Sequence, residues 1–358
     1  MNNKILSEDL NYIFKNFDNK EKLNESNILL TGCAGFLGFY FLYFFYYYLK
    51  ELGIKSIIGL DNFKLGKPKW IDNIKSSKVK IRNFDIIKDN INEIENVNNV
   101  NFVIHMASIA SPTFYRKYPL LTVDANIWGL RRLLEYYKDK NLKGFLFFSS
   151  SEVYGDPSDE FIPTPEDYRG NVSTIGPRAC YDESKRFGET LCYIYSKQFN
   201  IPITIVRPFN NYGPGMKLDD KRVPADFVKA VFENKDIVIY SDGTPTRTFC
   251  YIADAILGYL KVLTFGNFEI FNIGIDRPEI SIKQLAEIYV QKGRKILNYK
   301  GNIRFDKPLE KEYLIHNPSR RCPDIHKAQQ LLNFYPSYYI EQGVERFIEF
   351  VKINNGEL

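Results

Sequence analysis

The stretch Asn27-Ile28-Leu29-Leu30-Thr31-Gly32-Cys33-Ala34-Gly35-Phe36-Leu37-Gly38 decides how the rest of the chain is read. An apolar run ends at Thr31, glycines recur at Gly32, Gly35 and Gly38, and a helical pattern begins. In such a turn the early glycines let a pyrophosphate approach the backbone, and the last lets the helix pack on the sheet. The helix N-terminus then faces the phosphates. Glycine spacing alone is a weak signal. The flanking strand and helix, and Asp61 at the end of the next strand (Ser56–Leu60), give it context. A carboxylate there accepts hydrogen bonds from a ribose 2′-hydroxyl and repels a 2′-phosphate, which favours NAD over NADP. Asp61 also reads as a turn cap, since Asp61-Asn62 is a common turn pair. Asp85, closing the strand Val79–Phe84, reads equally as a helix cap or as a contact to the adenine.

Outward from this motif the pattern alternates. Asn101–His105, Gly144–Phe148 and Ile203–Val206 read as further strands, with helical stretches at Trp128–Asp139 and Cys180–Gln198. Strands spaced by helices predict parallel βαβ units and a doubly wound α/β fold. Beyond Pro208 glycine and proline punctuation makes the pattern irregular, until helices near Ile282–Gln291 and Glu341–Lys352. Ahead of the motif, Ile5, Leu10, Ile13, Phe14 and Phe17 lie at helical spacing and predict a short amphipathic leader helix. The acidic residues in that segment exclude a secretory signal.

Composition narrows the class. The chain has 358 residues, 44% hydrophobic and 25% charged, which fits a folded protein rather than a disordered one. Phe (28) and Tyr (25) are abundant beside Asn, Lys and Ile, all residues with A/T-rich codons. That bias reads first as AT-rich coding and second as an aromatic-lined site. The run Phe36–Leu49 is too short for a membrane span of about 20 residues and starts inside the glycine motif, so it predicts a buried aromatic helix. A net charge of +5 is scattered without a basic cluster, which argues against nucleic acid. Cys33, Cys180, Cys192, Cys250 and Cys322 lack metal or disulfide spacing and predict free thiols in a reducing, cytoplasmic compartment. The three histidines form no metal constellation, and His105, ending a strand, reads as structural.

A second constellation carries chemistry. Ser149-Ser150-Ser151-Glu152 follows a strand, and Tyr181-Asp182-Glu183-Ser184-Lys185 opens a helix. Tyr181 and Lys185 lie one turn apart on one helical face. A phenol with an ordinary pKa of about 10 is too weak a base at neutral pH. A neighbouring ammonium and a nicotinium charge would stabilise the phenolate. Ser150 can bond the same substrate hydroxyl.

Together TGCAGFLG (31–38), HMAS (105–108), SSSEVYGDP (149–157) and YDESK (181–185) resemble the extended short-chain dehydrogenase/reductase family, whose members modify nucleotide sugars. The resemblance runs from about Asn27 to the C-terminus. It leaves the amphipathic leader over 1–26 unexplained, and implies an NAD-binding Rossmann domain over 27–207 and a smaller α/β nucleotide-sugar domain over 208–358. Segments of that last part could cross back to the Rossmann domain. It also implies tightly bound NAD held by Gly32, Gly35, Phe36, Leu37, Gly38, Asp61, Asn62, Asp85, Ile86, Ala107, Ser108, Asn126, Tyr181, Lys185 and Pro208. A homodimer through the helices at 128–139 and 180–198 is a further implication.

Within the family, dTDP-glucose dehydratases carry an Asp-Glu pair where this chain has Ser151-Glu152, and a serine is too weak an acid to protonate a leaving hydroxyl. UDP-glucuronate decarboxylases carry Ser-Glu, as do GDP-mannose dehydratases. The stretches at 110–115 (ASPTFY), 170–191 and 320–328 (RRCPDIHKA) are similar to the decarboxylase pattern. The resemblance implies catalytic roles for Ser150, Glu152, Tyr181, Lys185 and Arg247, the last beside the sugar C5–C6 region. It implies substrate contacts at Ser111, Ser151, Arg178, Asn210, Arg247 and one of Arg320 and Arg321. The expected partner is a UDP-sugar, with C4 oxidation followed by loss of the carboxylate and possible re-reduction. Ser150 stands where decarboxylases usually have Thr, and Gly213-Pro214-Gly215-Met216 replaces Gly-Pro-Arg, so the departures bear on substrate identity. The runners-up are a 4,6-dehydratase, a C4-epimerase or 4-dehydrogenase, and, from another class, a non-catalytic nucleotide-binding protein.

Overall fold

The strand-and-helix alternation closes into one sheet in the computed structural model, which describes residues 3–308, 312 and 315–357. Parts of the expected leader (residues 1 and 2) and of the expected second domain (309–311, 313, 314 and 358) lie outside the described residues. The strands are β1 (Asn27–Thr31), β2 (Ser56–Asp61), β3 (Val79–Asn83), β4 (Phe102–His105), β5 (Gly144–Phe148), β6 (Ile203–Pro208) and β7 (Glu269–Ile273). All neighbours pair in parallel, in the order β7-β6-β5-β4-β1-β2-β3. The order reverses between β1 and β4, the place where an open α/β sheet leaves a crevice at its carboxyl edge. Thr31, Asp61, His105, Phe148 and Pro208 end their strands at that edge.

The principal helices are α1 (Lys4–Asn16), α2 (Phe36–Tyr47), α3 (Leu130–Tyr137), α4 (Ala179–Phe199), α5 (Val223–Phe232), α6 (Ile252–Leu263), α7 (Ile282–Leu297) and α8 (Ile340–Ile353). The aromatic helix α2 is buried from Gly38 to Phe45. Its Phe41 meets Phe148 of β5 edge-on at 6.2 Å, and Phe39 meets Trp70 edge-on at 5.2 Å. No helix among the described residues is long and apolar enough to cross a membrane.

Two features depart from the sequence reading, and a third, β7, is a segment of the kind expected to cross back to the first domain. The stretch after Pro208 holds two helices, α5 and α6, that the pattern left irregular. Every residue of α6 is buried, its polar Asp254 and Lys261 included. β7 lies well beyond Pro208 yet pairs with β6, completing the sheet from the expected second domain. The leader is no appendage: Ile5, Leu6, Leu10, Ile13 and Phe17 join the core cluster that holds α2, α6 and α8.

The remaining strands are short. Thr246–Arg247 lies between Ile280–Ser281, antiparallel, and Arg320–Arg321, parallel, with Arg321 directly opposite Arg247. This ribbon carries two arginines side by side towards the crevice.

Candidate active site

The crevice is a cleft of about 730 Å³ running from the glycine turn, past Tyr181, to Arg247 and Arg321. At its first end Gly32 has φ +69°, and a Cβ there would stand 2.8 Å from the Ala107 backbone. A Cβ on Gly38 would stand 2.2 Å from the Cys33 carbonyl oxygen, so only glycine lets α2 start this close to β1. The Asp61 carboxylate accepts the backbone N–H of Ala34 at 2.9 Å and of Phe63 at 2.8 Å. Burial raises its pKa, against the pull of those two N–H groups. It thus ties the glycine turn to β2, as its capping reading expects, and lines the cleft. Ser108, at the cleft wall, has a buried hydroxyl without a protein partner. A tight glycine cradle at a helix N-terminus, an acid at the end of β2 and an unsatisfied hydroxyl between them suit a dinucleotide such as NAD.

Of the residues expected around that cofactor, Gly32, Gly35, Phe36, Leu37, Gly38, Asp61, Asn62, Ile86, Ala107, Ser108, Tyr181, Lys185 and Pro208 line the cleft. Asp85 and Asn126 do not. Asp85 accepts the Ile87 N–H at 2.9 Å, the geometry of a turn cap. Asn126 is buried and donates to the Ser184 hydroxyl at 2.8 Å, which ties a π-helical turn to α4.

At the middle of the cleft Tyr181 is buried, and Ser150 lines the cleft with it. Burial pushes the phenol up to about 12, while the Ser150 hydroxyl works the other way. Lys185 is buried, donates to the Phe148 carbonyl at 2.7 Å and stands 5.7 Å from the Tyr181 ring centre. Burial pushes this ammonium down to about 7. The expectation that Lys185 lowers the Tyr181 pKa is therefore not met by the protein alone, because desolvation penalises the charged form of both groups. His105 bonds Thr31 Oγ1 at 2.7 Å through Nδ1, and burial lowers its pKa to about 3, so it stays neutral.

The far end is built on Glu152. Its carboxylate accepts from Arg178 and, at 2.6 Å, from Arg321. Burial opposes its charge, but the two guanidiniums outweigh burial and hold its pKa down at about 2. Arg247 is also buried, yet its guanidinium donates only to backbone carbonyls: Thr246 at 2.7 Å, Ser319 at 3.1 Å and Pro318 at 2.5 Å. Burial, and then repulsion from Arg321, push it down to about 9. No carboxylate pairs with Arg247 among the described residues.

The other expected substrate contacts divide. Ser111, Ser151, Arg178, Asn210 and Arg321 line the cleft. Ser111 donates to the Asp220 carbonyl at 2.6 Å, and Asn210 donates to the Thr248 carbonyl at 2.9 Å. Arg320 does not line it. It points away into pairs with Glu279 and Asp159, both at 2.7 Å. Between two arginines adjacent in sequence, strand alternation sends one to the cleft and one to the surface. Sequence reasoning missed Tyr115, whose ring stacks on Tyr181 at 5.1 Å and 12°, and whose buried hydroxyl has no partner. The motif ASPTFY ends on this residue and was the available signal. Arg222 was also missed as a site residue; it stands over the Phe36 ring at 5.7 Å and pairs with Asp220.

Comparison with known proteins gives consistent matches. Residues 28–274 match the NAD dependent epimerase/dehydratase family. UDP-glucuronic acid decarboxylase 5 of Arabidopsis thaliana is 34% identical over 337 residues, covering 94% of this chain and 92% of that protein. UDP-glucuronic acid decarboxylase 1 of Xenopus tropicalis is 32% identical over 330 residues, covering 92% and 73%. A structure of UDP-glucuronic acid 4-epimerase from Bacillus cereus, in complex with UDP-glucuronic acid and NAD, superposes with a TM-score of 0.73 at 28% identity, covering 92% and 99%.

Proposed function

The chain belongs to the NAD dependent epimerase/dehydratase family, and from that premise we propose that it is an NAD-dependent nucleotide-sugar decarboxylase acting on UDP-glucuronate or a close relative. One observation carries the choice of an acid sugar. Three buried arginines stand together at the end of the cleft beside Tyr181: Arg178 and Arg321 bond Glu152, while Arg247 meets only backbone carbonyls and pairs with no carboxylate among the described residues. Buried charge is costly unless compensated, so this cluster favours a substrate that brings a negative group of its own to that place. A neutral hexose offers none.

Bound NAD supplies the acceptor and later the donor of the hydride at sugar C4, and its positive ring favours the Tyr181 phenolate. Tyr181 takes the proton from O4 while Ser150 bonds the same oxygen, giving the 4-ketone. The substrate is then a β-keto acid. The arginine cluster orients its carboxylate, carbon dioxide leaves, and the electron pair enters the ketone as an enolate. A proton from solvent restores C5, and Tyr181 returns its proton to O4 when C4 is reduced. The balance is one proton consumed and one carbon dioxide released per turnover. Ser151, too weak an acid to protonate a leaving hydroxyl, weighs against a dehydratase of the dTDP-glucose type. A C4-epimerase of the same acid sugar uses the same charge surplus and is the second reading.

Leu120, Trp128, Phe187 and Tyr193 expose large apolar surfaces on or beside α4, which supports a homodimer on this face. The five free thiols support a cytoplasmic location. The test is incubation of the NAD-loaded protein with UDP-glucuronate, UDP-glucose, dTDP-glucose and GDP-mannose, read by mass spectrometry. A UDP-pentose formed from UDP-glucuronate is the expected product. An isomer of unchanged mass replaces the decarboxylase by the epimerase, and UDP-glucuronate left intact overturns both.

A further inference from the structure

Asp182 is a second buried carboxylate behind the arginine cluster, and it does not line the cleft. It sits in the first turn of α4, next to Tyr181. Its Oδ2 lies 3.5 Å from Arg178 Nε, and its Oδ1 is buried without a hydrogen-bond partner. Arg178 Nε itself makes no hydrogen bond, while Arg178 Nη2 donates to Glu152. One guanidinium thus stands between two carboxylates but is firmly bonded to only one. The groups facing Asp182 are Arg178, Tyr181 and Cys180 on its own helix, Glu152 and Arg321 across the cleft end, and Tyr115 from the helix Pro112–Lys117.

We propose that Asp182 is a positioning residue that acts through Arg178: with a proton it leaves the arginine cluster free to accept an acidic sugar, and without one it weakens that acceptance. The inference rests on the acid-sugar reading of the cleft. An ionised Asp182 adds a second negative charge beside Arg178, competes with Glu152 for it, and repels an incoming carboxylate. Burial, and then the charge of Glu152, raise the Asp182 pKa to about 7, so both states are populated near neutrality. By linkage, a substrate carboxylate that binds better to the protonated form must also raise the proton affinity of Asp182. Binding of the acid substrate therefore takes up a proton.

The experiment follows KM and kcat of the NAD-loaded enzyme for UDP-glucuronate between about pH 6 and about pH 9, in wild type and Asp182→Asn. Wild-type KM should rise about tenfold across that range with a smaller change in kcat, a coupling of ordinary size. Asp182→Asn, permanently neutral, should hold the low-pH KM throughout. A variant whose KM follows the wild-type curve overturns the proposal. Calorimetry of Tyr181→Phe, which binds the sugar without turning it over, in buffers of different ionisation enthalpy separates protons taken up on binding from the one consumed in turnover. Near neutral pH, proton uptake should accompany UDP-glucuronate and be absent with UDP-glucose; equal uptake for both overturns the proposal. Turnover of UDP-glucuronate with pH-flat KM sinks this inference alone. Failure of UDP-glucuronate to bind sinks the acid-sugar reading and this inference with it.

Discussion

Tyr181 is held by its surroundings more than by its own helix: Tyr115 stacks on one face of its ring, and the phenol lies in the cleft that Ser150 also lines. Removing only the oxygen leaves the ring stack intact. Tyr181→Phe should therefore fold and bind NAD as the wild type does, while losing the proton acceptor for O4. We expect kcat to fall by about a thousandfold, the range found for positioned acid–base groups. Single-turnover absorbance of the reduced nicotinamide is the readout; a variant that still reduces bound NAD at the wild-type rate removes Tyr181 from the reaction. Much of this site was legible at the residue scale, because Tyr181 and Lys185 are fixed by helix periodicity and Ser150 and Glu152 by a strand end. The charge arrangement was not. Whether Arg320 or Arg321 meets Glu152 depends on which face of a two-residue strand each occupies, and nothing in RRCPDI states that face. The sequence likewise could not say that burial would drive Lys185 down to about 7.

At the scale of elements, the turn from β1 into α2 is the tightest joint near the site. The spacing of the glycines announced it, and the geometry explains each step: a positive φ at Gly32 and a helix that begins against the Cys33 carbonyl at Gly38. Gly38→Ala puts a methyl 2.2 Å from that oxygen, so α2 must move away from β1. Overpacking of this kind costs about 1–3 kcal/mol, and here it also displaces the helix N-terminus from the phosphate cradle. We expect a lower urea midpoint and at least tenfold weaker NAD affinity by fluorescence titration, on the scale of the same energy. Unchanged NAD affinity with a lowered midpoint would detach the cradle from this glycine. The first six strands were legible because each ends near a Gly, Asp, His, Ser or Pro that breaks the apolar run. β7 and α6 were not. A strand that returns to the sheet after a long excursion carries no local mark of its partner, and α6 follows a stretch rich in Gly, Pro and Thr (243–248) that masks where its helical period begins.

At the scale of the molecule, the chain ends are joined by one buried carboxylate. Asp9 of α1 accepts from the hydroxyls of Tyr40 in α2 and Tyr251 before α6, both at 2.7 Å, and from Arg346 of α8 at 2.7 Å. An amphipathic leader was legible; its acid was not, since an Asp on a leader helix reads as solvated until three distant elements close over it. Burial raises the Asp9 pKa to about 6 despite Arg346 and the two phenols. The native state therefore holds this proton more tightly than the unfolded chain. Stability linked to Asp9 is fully present below the ordinary carboxylate range and is lost as pH rises through about 6. Asp9→Asn fixes the neutral form and keeps an oxygen for the tyrosines, so its stability relative to wild type should improve as pH rises from about 4 to about 7. Asp9→Ala removes the acceptor altogether, takes the bond partner from the buried Tyr40 hydroxyl, leaves Arg346 with Glu8, the Ile5 carbonyl and Tyr251, and should cost about 3 kcal/mol at neutral pH. Urea unfolding of the three proteins at both pH values measures this, and the decisive comparison is between the two variants. If Asn and Ala cost the same at neutral pH, Asp9 contributes through its charge and not as a neutral acceptor. Neither change touches the cleft, so kcat of the folded fraction should match the wild type. A loss of kcat in folded protein would instead tie this clasp of α1 and α8 to the active site.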